Sequence, residues 1–308
     1  MVKVFIDGNV GTTGLRIEER LKSRDDISLY TLPDEVRKNP TAREDALNNA
    51  DIAFLCLPDV AAVEAVSMLK NSNTKIIDTS TAHRTKLEWT YGFPELNIEI
   101  RRKLETSTRV AVPGCHASGF LSIVYPLVKN GIVGNDYPFV CYSLTGYSGG
   151  GKKMIAEYQD PNMPDSFLGP RQYGFSQMHK HLPEMQKIAG LKMPPIFGPI
   201  VGNFYSGMEV SVPLFSSLIN GAKKGDIIDV LANQYKDSAL IKVKDLDASF
   251  ISAADMEKKD SMTIFVGGND ERIIIVSLFD NLGKGASGAA IQCMNIMCGF
   301  AETTSLNI

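Results

Sequence analysis

Apolar and polar positions follow one rhythm in the N-terminal third of the chain and another from about residue 140. In the first stretch, short apolar runs predict strands at Val2 to Ile6, Ile27 to Leu32, Asp51 to Leu57 and Lys75 to Asp78. Between them, helical spacing appears at Leu15 to Lys22, around Arg43, Glu44 and Ala46, and at Val60 to Leu69, with Pro58 ending the third strand. Parallel strands need crossover connections, usually helices. This βαβ rhythm therefore predicts an α/β fold with a Rossmann-type doubly wound parallel sheet and a ligand crevice at the carboxyl ends of the strands. Later runs are longer and rich in β-branched or aromatic residues, at Phe139 to Leu144, Met208 to Leu214, Ile264 to Gly267 and Ile273 to Phe279, and they predict a second, α+β domain. The polar segment Gln159 to Gln172 reads as a long loop.

The first predicted strand and helix enclose Gly8-Asn9-Val10-Gly11-Thr12-Thr13-Gly14. Glycines let a backbone turn tightly and approach a pyrophosphate, and the helix start supplies amides and dipole to the anion. Gly8, Gly11, Thr12, Thr13 and Gly14 are accordingly the candidate nucleotide-binding residues. NAD-binding domains typically end the second strand on an acid that holds the ribose 2'-hydroxyl. Here that position reads Tyr30-Thr31-Leu32-Pro33, with Arg37 and Lys38 beyond it, which favours the 2'-phosphate of NADP(H). Asp34 lies close by, and a helix-surface charge pair is the competing reading of the two basic residues.

Cys115 lies in Val112-Pro113-Gly114-Cys115-His116-Ala117-Ser118-Gly119-Phe120, where Pro and Gly punctuate the chain before Phe120, Leu121, Ile123, Val124, Leu127 and Val128 recur at helical spacing. A thiol at a helix N-terminus meets unpaired amides and the positive end of the dipole, which favour the thiolate. A free thiol titrates near ~8.5 and a helix terminus contributes ~0.3 to 2 kcal/mol, where ~1.4 kcal/mol is one pKa unit, so the helix alone brings it only to about neutrality. A second group, most naturally a histidine, should assist. A buried, inert cysteine is the alternative. His179-Lys180-His181-Leu182-Pro183-Glu184 offers two of the four histidines, suited to proton transfer near neutral pH. Their i, i+2 spacing shares a face only on a strand, and no Cys or Asp cluster accompanies them, so no metal is expected.

Gly146-Tyr147-Ser148-Gly149-Gly150-Gly151-Lys152-Lys153 nearly matches a phosphate-binding P-loop, but Lys153 replaces the Ser or Thr that would ligate magnesium. The loop instead offers backbone amides and Ser148 to a substrate. Asn281-Leu282-Gly283-Lys284-Gly285-Ala286-Ser287-Gly288 precedes an apolar helix with Ile291, Met294, Ile296 and Met297, and its small residues permit close approach to a flat cofactor or to another helix.

Composition bounds these readings. A chain of 308 residues with 44% hydrophobic and 22% charged content is long enough for two domains and predicts a globular protein. Its net charge of -3, without a long basic run, invites neither nucleic acid nor an anionic membrane. Five scattered cysteines argue against a disulfide framework and favour a reducing cytoplasm. No apolar stretch reaches the ~20 residues that span a bilayer, so neither a membrane span nor an export signal is expected.

Taken together, VPGCHASGF, TGYSGGGKK, HKHLPE, YGFPEL and NLGKGASGAAIQCMN resemble the N-acetyl-gamma-glutamyl-phosphate reductase family in its shorter form, a relative of the aspartate-semialdehyde and glyceraldehyde-3-phosphate dehydrogenases. The resemblance implies an NADP-dependent enzyme of arginine biosynthesis whose C-terminal helix returns to the cofactor domain. Residues 1–114 and 284–308 would form that domain, and 115–283 a catalytic and oligomerising one. It implies Cys115 as nucleophile toward a small-molecule acyl phosphate, releasing inorganic phosphate and leaving a thioester for reduction. His179 and His181 would move protons, Asn281, Lys284 and Gly285 would lie near the nicotinamide, and Arg84, in Asp78-Thr79-Ser80-Thr81-Ala82-His83-Arg84, would contact the acyl phosphate beside Ser148 and Gly149. That segment keeps the arginine but not the acid of the longer form's pattern. The resemblance also implies a homo-oligomer, dimer or tetramer. Another acyl-phosphate dehydrogenase, a P-loop NTPase and a non-catalytic NADP-binding sensor stand as alternatives.

Overall fold

A strand covered on both faces needs apolar residues on both, and the first half of the chain is built from such strands. In a computed structural model describing residues 1–308, β1 (Val2–Asp7), β2 (Ile27–Tyr30), β3 (Ile52–Leu55), β4 (Lys75–Asp78), β5 (Thr90–Tyr91) and β6 (Arg109–Ala111) alternate with α1 (Thr12–Leu21), α2 (Pro40–Asn49), α3 (Asp59–Ser67) and α4 (Ile98–Thr106). The strands form one parallel sheet in the order β2-β1-β3-β4-β6-β5. Successive residues go to opposite cores. Val4, Ile6, Ile52 and Phe54 pack in one cluster with Ile17 and Leu21 of α1, while Phe5, Ala53 and Leu55 pack in another with Leu47 of α2 and Ala62 and Ala65 of α3. Continuous apolar runs are the mark of a strand buried on both faces.

The second half contains α5 (Cys115–Lys129), β7 (Val140–Gly146), α6 (Gly151–Gln159), β8 (Arg171–Gln172), α7 (Leu182–Ala189), β9 (Ile196–Gly202), β10 (Met208–Phe215), α8 (Lys224–Tyr235), β11 (Ile241–Asp245), β12 (Met262–Gly268) and β13 (Arg272–Phe279). Its mixed seven-stranded sheet runs β11-β12-β13-β10-β7-β9-β8. This sheet is covered on one face only, and the period-2 pattern shows it: Met208, Val210, Val212 and Leu214 are buried, while Glu209, Ser211, Pro213 and Phe215 alternate outward. The covered face lies under α5, whose Gly119 approaches so closely that a Cβ there would sit 2.4 Å from Val210 Cγ2.

After β13 a π-helical turn at Gly283–Ser287 leads into α9 (Gly288–Cys298). Ala290, Ile291 and Met294 of α9 are buried with Val4, Ile6 and Ile77 of the parallel sheet. The chain accordingly divides into one unit of Met1–Gly114 and Ala286–Leu306 and a second of Cys115–Gly285 and Asn307–Ile308.

Forcing a side chain into a filled core strains it by ~1 to 3 kcal/mol, so Gly119→Ala is expected to lower the melting temperature by several degrees in a calorimetric scan. An unchanged melt would show that α5 does not pack on β10 as described.

Candidate active site

Helix α5 begins at Cys115 itself, and its first turn is largely buried: Cys115 is half-buried, and His116, Ala117 and Ser118 are buried. A buried polar group needs a hydrogen-bond partner. His116, 4% exposed, has one for each ring nitrogen: Nδ1 lies 2.7 Å from Ser143 Oγ and Nε2 lies 3.1 Å from Tyr173 OH. Ser143 faces α5 from β7, on the same side as its ladder partner Val210.

Around this ring the chain gathers three of its four histidines. The His116 centroid lies 5.5 Å from that of His179 and 5.4 Å from that of His181, and Phe197 of β9 packs edge-on against both His116 and His179. His179 and His181 are not on a strand face. They sit in the turn that enters α7, with His181 at the N-cap, its backbone N–H donating to His179 Nδ1 and the two rings meeting nearly perpendicular. A turn before a Pro at the second helical position brings i and i+2 together as a strand would, and Pro183 is the signal for it.

The electrostatics favour neutral rings. Burial, then the nearby His179 and Lys180, lower His116 to about 3, and burial with Lys180 lowers His179 to about 4. Both rings are therefore uncharged at neutral pH. Burial chiefly, and Cys115 secondarily, raise the Tyr173 phenol. The buried thiols at Cys56 and Cys141 are also pushed up by desolvation, Cys56 to about 12, leaving them protonated.

The C-terminal loop reaches the same helix start. A Cβ on Gly285 would lie 2.9 Å from Cys115 Cβ, so only glycine allows this backbone against the cysteine. Asp280, fully buried, holds the loop: Oδ1 accepts from the N–H groups of Leu282 and Gly283, and Oδ2 accepts from the Ser206 hydroxyl and the Lys258 N–H. Asn281 ties it to the glycine loop after β7, donating from Nδ2 to Ser148 Oγ at 3.1 Å and accepting the Gly207 N–H at Oδ1. A Cβ on Gly149 would lie 3.4 Å from the same Asn281 amide. Lys284 is buried. Cys115 and Gly285 are thus brought together, and so are Ser148, Gly149 and Asn281.

Other predicted residues lie in the first unit. Gly8 has φ of +89°, and a Cβ there would overlap Cys56 O at 2.3 Å; on Gly14 it would meet Gly8 O at 2.5 Å. Gly11 caps α1, which starts at Thr12 and Thr13. A cleft of about 200 Å³ opens beside this turn, lined by Gly8, Asn9, Leu32, Arg37 and Lys38. The turn and cleft fit a dinucleotide: glycine at 8, 11 and 14 beside a helix start, and Arg37 and Lys38 beyond the second strand, with the one carboxylate lining the cleft, Asp7, already paired to Arg43. Arg37 also pairs with exposed Asp34 at 3.0 Å, the competing surface pair, which at such exposure is worth little. Arg84 is buried and donates from Nε to Val112 O and from Nη2 to Thr79 O, so it braces the segment leading to Cys115. Lys153, at the P-loop-like position, projects into solvent. No group of three or more His, Cys, Asp or Glu is arranged to hold a metal, and no helix is long and apolar enough to cross a membrane. His116, Ser143, Tyr173 and Asp280 were not singled out from the sequence.

The sequence matches the semialdehyde dehydrogenase NAD binding domain over residues 6–104 and the semialdehyde dehydrogenase dimerisation domain over 115–281. It is 44% identical over 304 residues to the N-acetyl-gamma-glutamyl-phosphate reductase of Sinorhizobium medicae, covering 96% of this chain and 98% of that protein. Its identity to the Brucella ovis enzyme of the same name is 45% over 310 residues, covering 96% and 99%. The fold is shared with aspartate semialdehyde dehydrogenase II of Vibrio cholerae, solved with ASA, at TM-score 0.74 and 16% identity over 97% and 98% of the two chains. It is shared also with the Candida albicans enzyme, solved with NADP, at TM-score 0.68 and 15% identity over 97% and 98%.

The His116 shift sets a pH dependence. The folded protein keeps His116 neutral down to about 3, whereas the unfolded chain takes the proton near 6.5. Its contribution to stability is present above pH ~6.5 and is lost as pH falls from there toward the folded value. Chemical denaturation between pH 7.5 and 5 should show stability falling with pH, with a shallower slope in His116→Gln. Parallel slopes would place His116 outside the core.

Proposed function

This chain belongs to the semialdehyde dehydrogenase family and, within it, to the N-acetyl-gamma-glutamyl-phosphate reductases, and from that premise we propose its reaction. The enzyme reduces N-acetyl-gamma-glutamyl phosphate to N-acetylglutamate semialdehyde with NADPH and releases inorganic phosphate, a step of arginine biosynthesis. The observation that carries this reading is the near-full-length identity to those reductases in a chain whose Cys115 opens a helix beside His116, a neutral ring packed against the neutral ring of His179.

The Cys115 sulfur attacks the acyl carbon, a C–S bond forms, the C–O bond to phosphate breaks, and a thioester remains. Both His116 nitrogens are committed to Ser143 and Tyr173, so the proton from the thiol goes to His179 or His181. A neutral imidazole accepts it as the sulfur attacks, and phosphate leaves with little acid help. Amides at the start of α5 stabilise the oxyanion of the tetrahedral adduct. Bound NADPH supplies the hydride that reduces the thioester carbon. Collapse of the resulting hemithioacetal frees the aldehyde and returns the sulfur as thiolate, which the imidazolium reprotonates.

Gly8, Gly11, Thr12, Thr13 and Gly14 would hold the pyrophosphate, and Arg37 with Lys38 the 2'-phosphate. Asn281, Lys284 and Gly285 are assigned to the nicotinamide side, and Ser148 and Gly149 to the substrate. The half-covered sheet is assigned to a homo-oligomer, because Tyr142, Ile196 and Phe215 stand 51%, 65% and 54% exposed on one open face, within the region matching a dimerisation domain. A reducing cytoplasm accords with five cysteines that form no disulfide.

Purified protein should reduce NADP in the presence of N-acetylglutamate semialdehyde and phosphate, and Cys115→Ala should abolish this. Faster turnover with aspartate semialdehyde would assign it to a different acyl phosphate, and intact activity in Cys115→Ala would sink the covalent route. Either His179→Asn or His181→Asn should cost ~10²- to 10⁴-fold in kcat. Arg37→Ala combined with Lys38→Ala should raise KM for NADPH while sparing NADH. Paired Tyr142→Glu and Phe215→Glu substitutions should shift light-scattering mass toward the monomer.

A further inference from the structure

Hydrogen-bond accounting around His116 leaves one proton without a protein acceptor. Ser143 Oγ is fully buried, and His116 Nδ1 is its hydrogen-bond partner. A buried hydroxyl that must donate has only that nitrogen to donate to, which makes Nδ1 the acceptor of a neutral ring. The ring's single N–H then belongs to Nε2, and it donates to the Tyr173 oxygen 3.1 Å away. Assigning the tautomer this way satisfies Ser143 and both His116 nitrogens together. Tyr173 has accepted, and its own O–H is left to donate elsewhere.

The surroundings decide where. Tyr173 directly follows β8, and its backbone N–H is fixed to Pro199 O. Gly174 after it has φ of +74°, with Pro199 packed 3.0 Å from where a Cβ would be. Those contacts fix the residue against β9. Its ring centroid lies 6.0 Å from that of His179, and its hydroxyl meets the residue that follows Cys115 in the first turn of α5. Burial first, and the Cys115 charge second, hold the proton on the phenol, so Tyr173 is a donor and not a base.

We propose that Tyr173 is a catalytic residue whose hydroxyl donates a hydrogen bond to the oxyanion of the tetrahedral adducts formed on Cys115, and that His116 and Ser143 are positioning residues that aim this proton by fixing the imidazole tautomer. The proposal deepens the thioester reading of the site and rests on it for the natural substrate, though not for acylation of the cysteine. A preorganised donor at a developing oxyanion is commonly worth ~10²- to 10³-fold in rate.

The test compares two reactions of the same sulfur in the full-length protein without cofactor. Acylation by p-nitrophenyl acetate passes through a tetrahedral oxyanion, forming C–S, breaking C–O and expelling p-nitrophenolate. Alkylation by iodoacetamide displaces iodide directly and has no oxyanion. Tyr173→Phe should slow acylation ~10²-fold while leaving alkylation within about twofold of wild type. Among His116 variants, Gln carries an amide N–H that can replace Nε2–H, so His116→Gln should retain far more acylation than His116→Leu at equal alkylation. Ser143→Ala frees the tautomer and should fall between them.

Wild-type acylation rates in Tyr173→Phe, or acylation and alkylation falling in parallel, would overturn the proposal. Should Tyr173→Phe fail to fold, equal acylation in the two His116 variants overturns it independently. A wild-type protein acylated in this pattern but inactive on N-acetylglutamate semialdehyde would remove the substrate reading and leave Tyr173's role standing.

Discussion

The first turn of α5 has to bury polar groups without burying charge, and the organisation of the second unit follows from that constraint. An unpaired buried charge costs far more than a buried hydrogen-bonded neutral group. His116 meets the constraint by staying neutral and spending one nitrogen on Ser143 and the other on Tyr173. Ser143 is a hydroxyl among inward-facing apolar residues of the mixed sheet, costly unless paired, and the imidazole is its pairing. Tyr173 in turn pins the segment between β8 and α7, from which His179 and His181 are presented.

Close backbone approach completes the site where side chains would obstruct it. Gly119 lets α5 settle on β10, and Gly285 lets the C-terminal loop abut Cys115. Neither has a positive φ, so each is required by space and not by conformation. The Asp280 carboxylate supplies the tension, gathering the N–H groups of Leu282, Gly283 and Lys258 with the Ser206 hydroxyl. Stabilising a buried carboxylate with several donors is what allows an otherwise exposed turn to be held against the cysteine.

Local chemistry was readable in the sequence where one segment contains its own cause. The Gly8 to Gly14 turn, the strand Lys75–Asp78 and the helix following Pro113-Gly114 each announce themselves through neighbours in the chain. What escaped depends on pairing across distance. Ile196–Gly202 contains Gly198 and Pro199, residues disfavoured in strands, yet it pairs in parallel with β7 because its neighbours in the sheet override propensity. His116 stood inside the motif around Cys115, but its partners lie 27 and 57 residues away, and Ser143 and Tyr173 look ordinary in their own contexts. Arg84 shows the same dependence on distance, since its backbone acceptors on Val112 and Thr79 lie 28 and 5 residues away along the chain.

Neutral histidines also change what the helix terminus is asked to do. A resident imidazolium would share the work of stabilising a resting thiolate, but burial disfavours that charge at both His116 and His179. The dipole alone supplies at most ~2 kcal/mol, enough to bring the thiol to about neutrality and no further. Proton transfer to the imidazole is then coupled to attack, when negative charge is already moving from sulfur onto the carbonyl oxygen. Under that coupling, donors aimed at the oxygen matter more than cations aimed at the sulfur. A site built from amides, hydroxyls and neutral rings is suited to this order of events, because His116, Ser143 and Tyr173 are paired at rest while the amides at the helix start face an oxyanion that exists only during reaction.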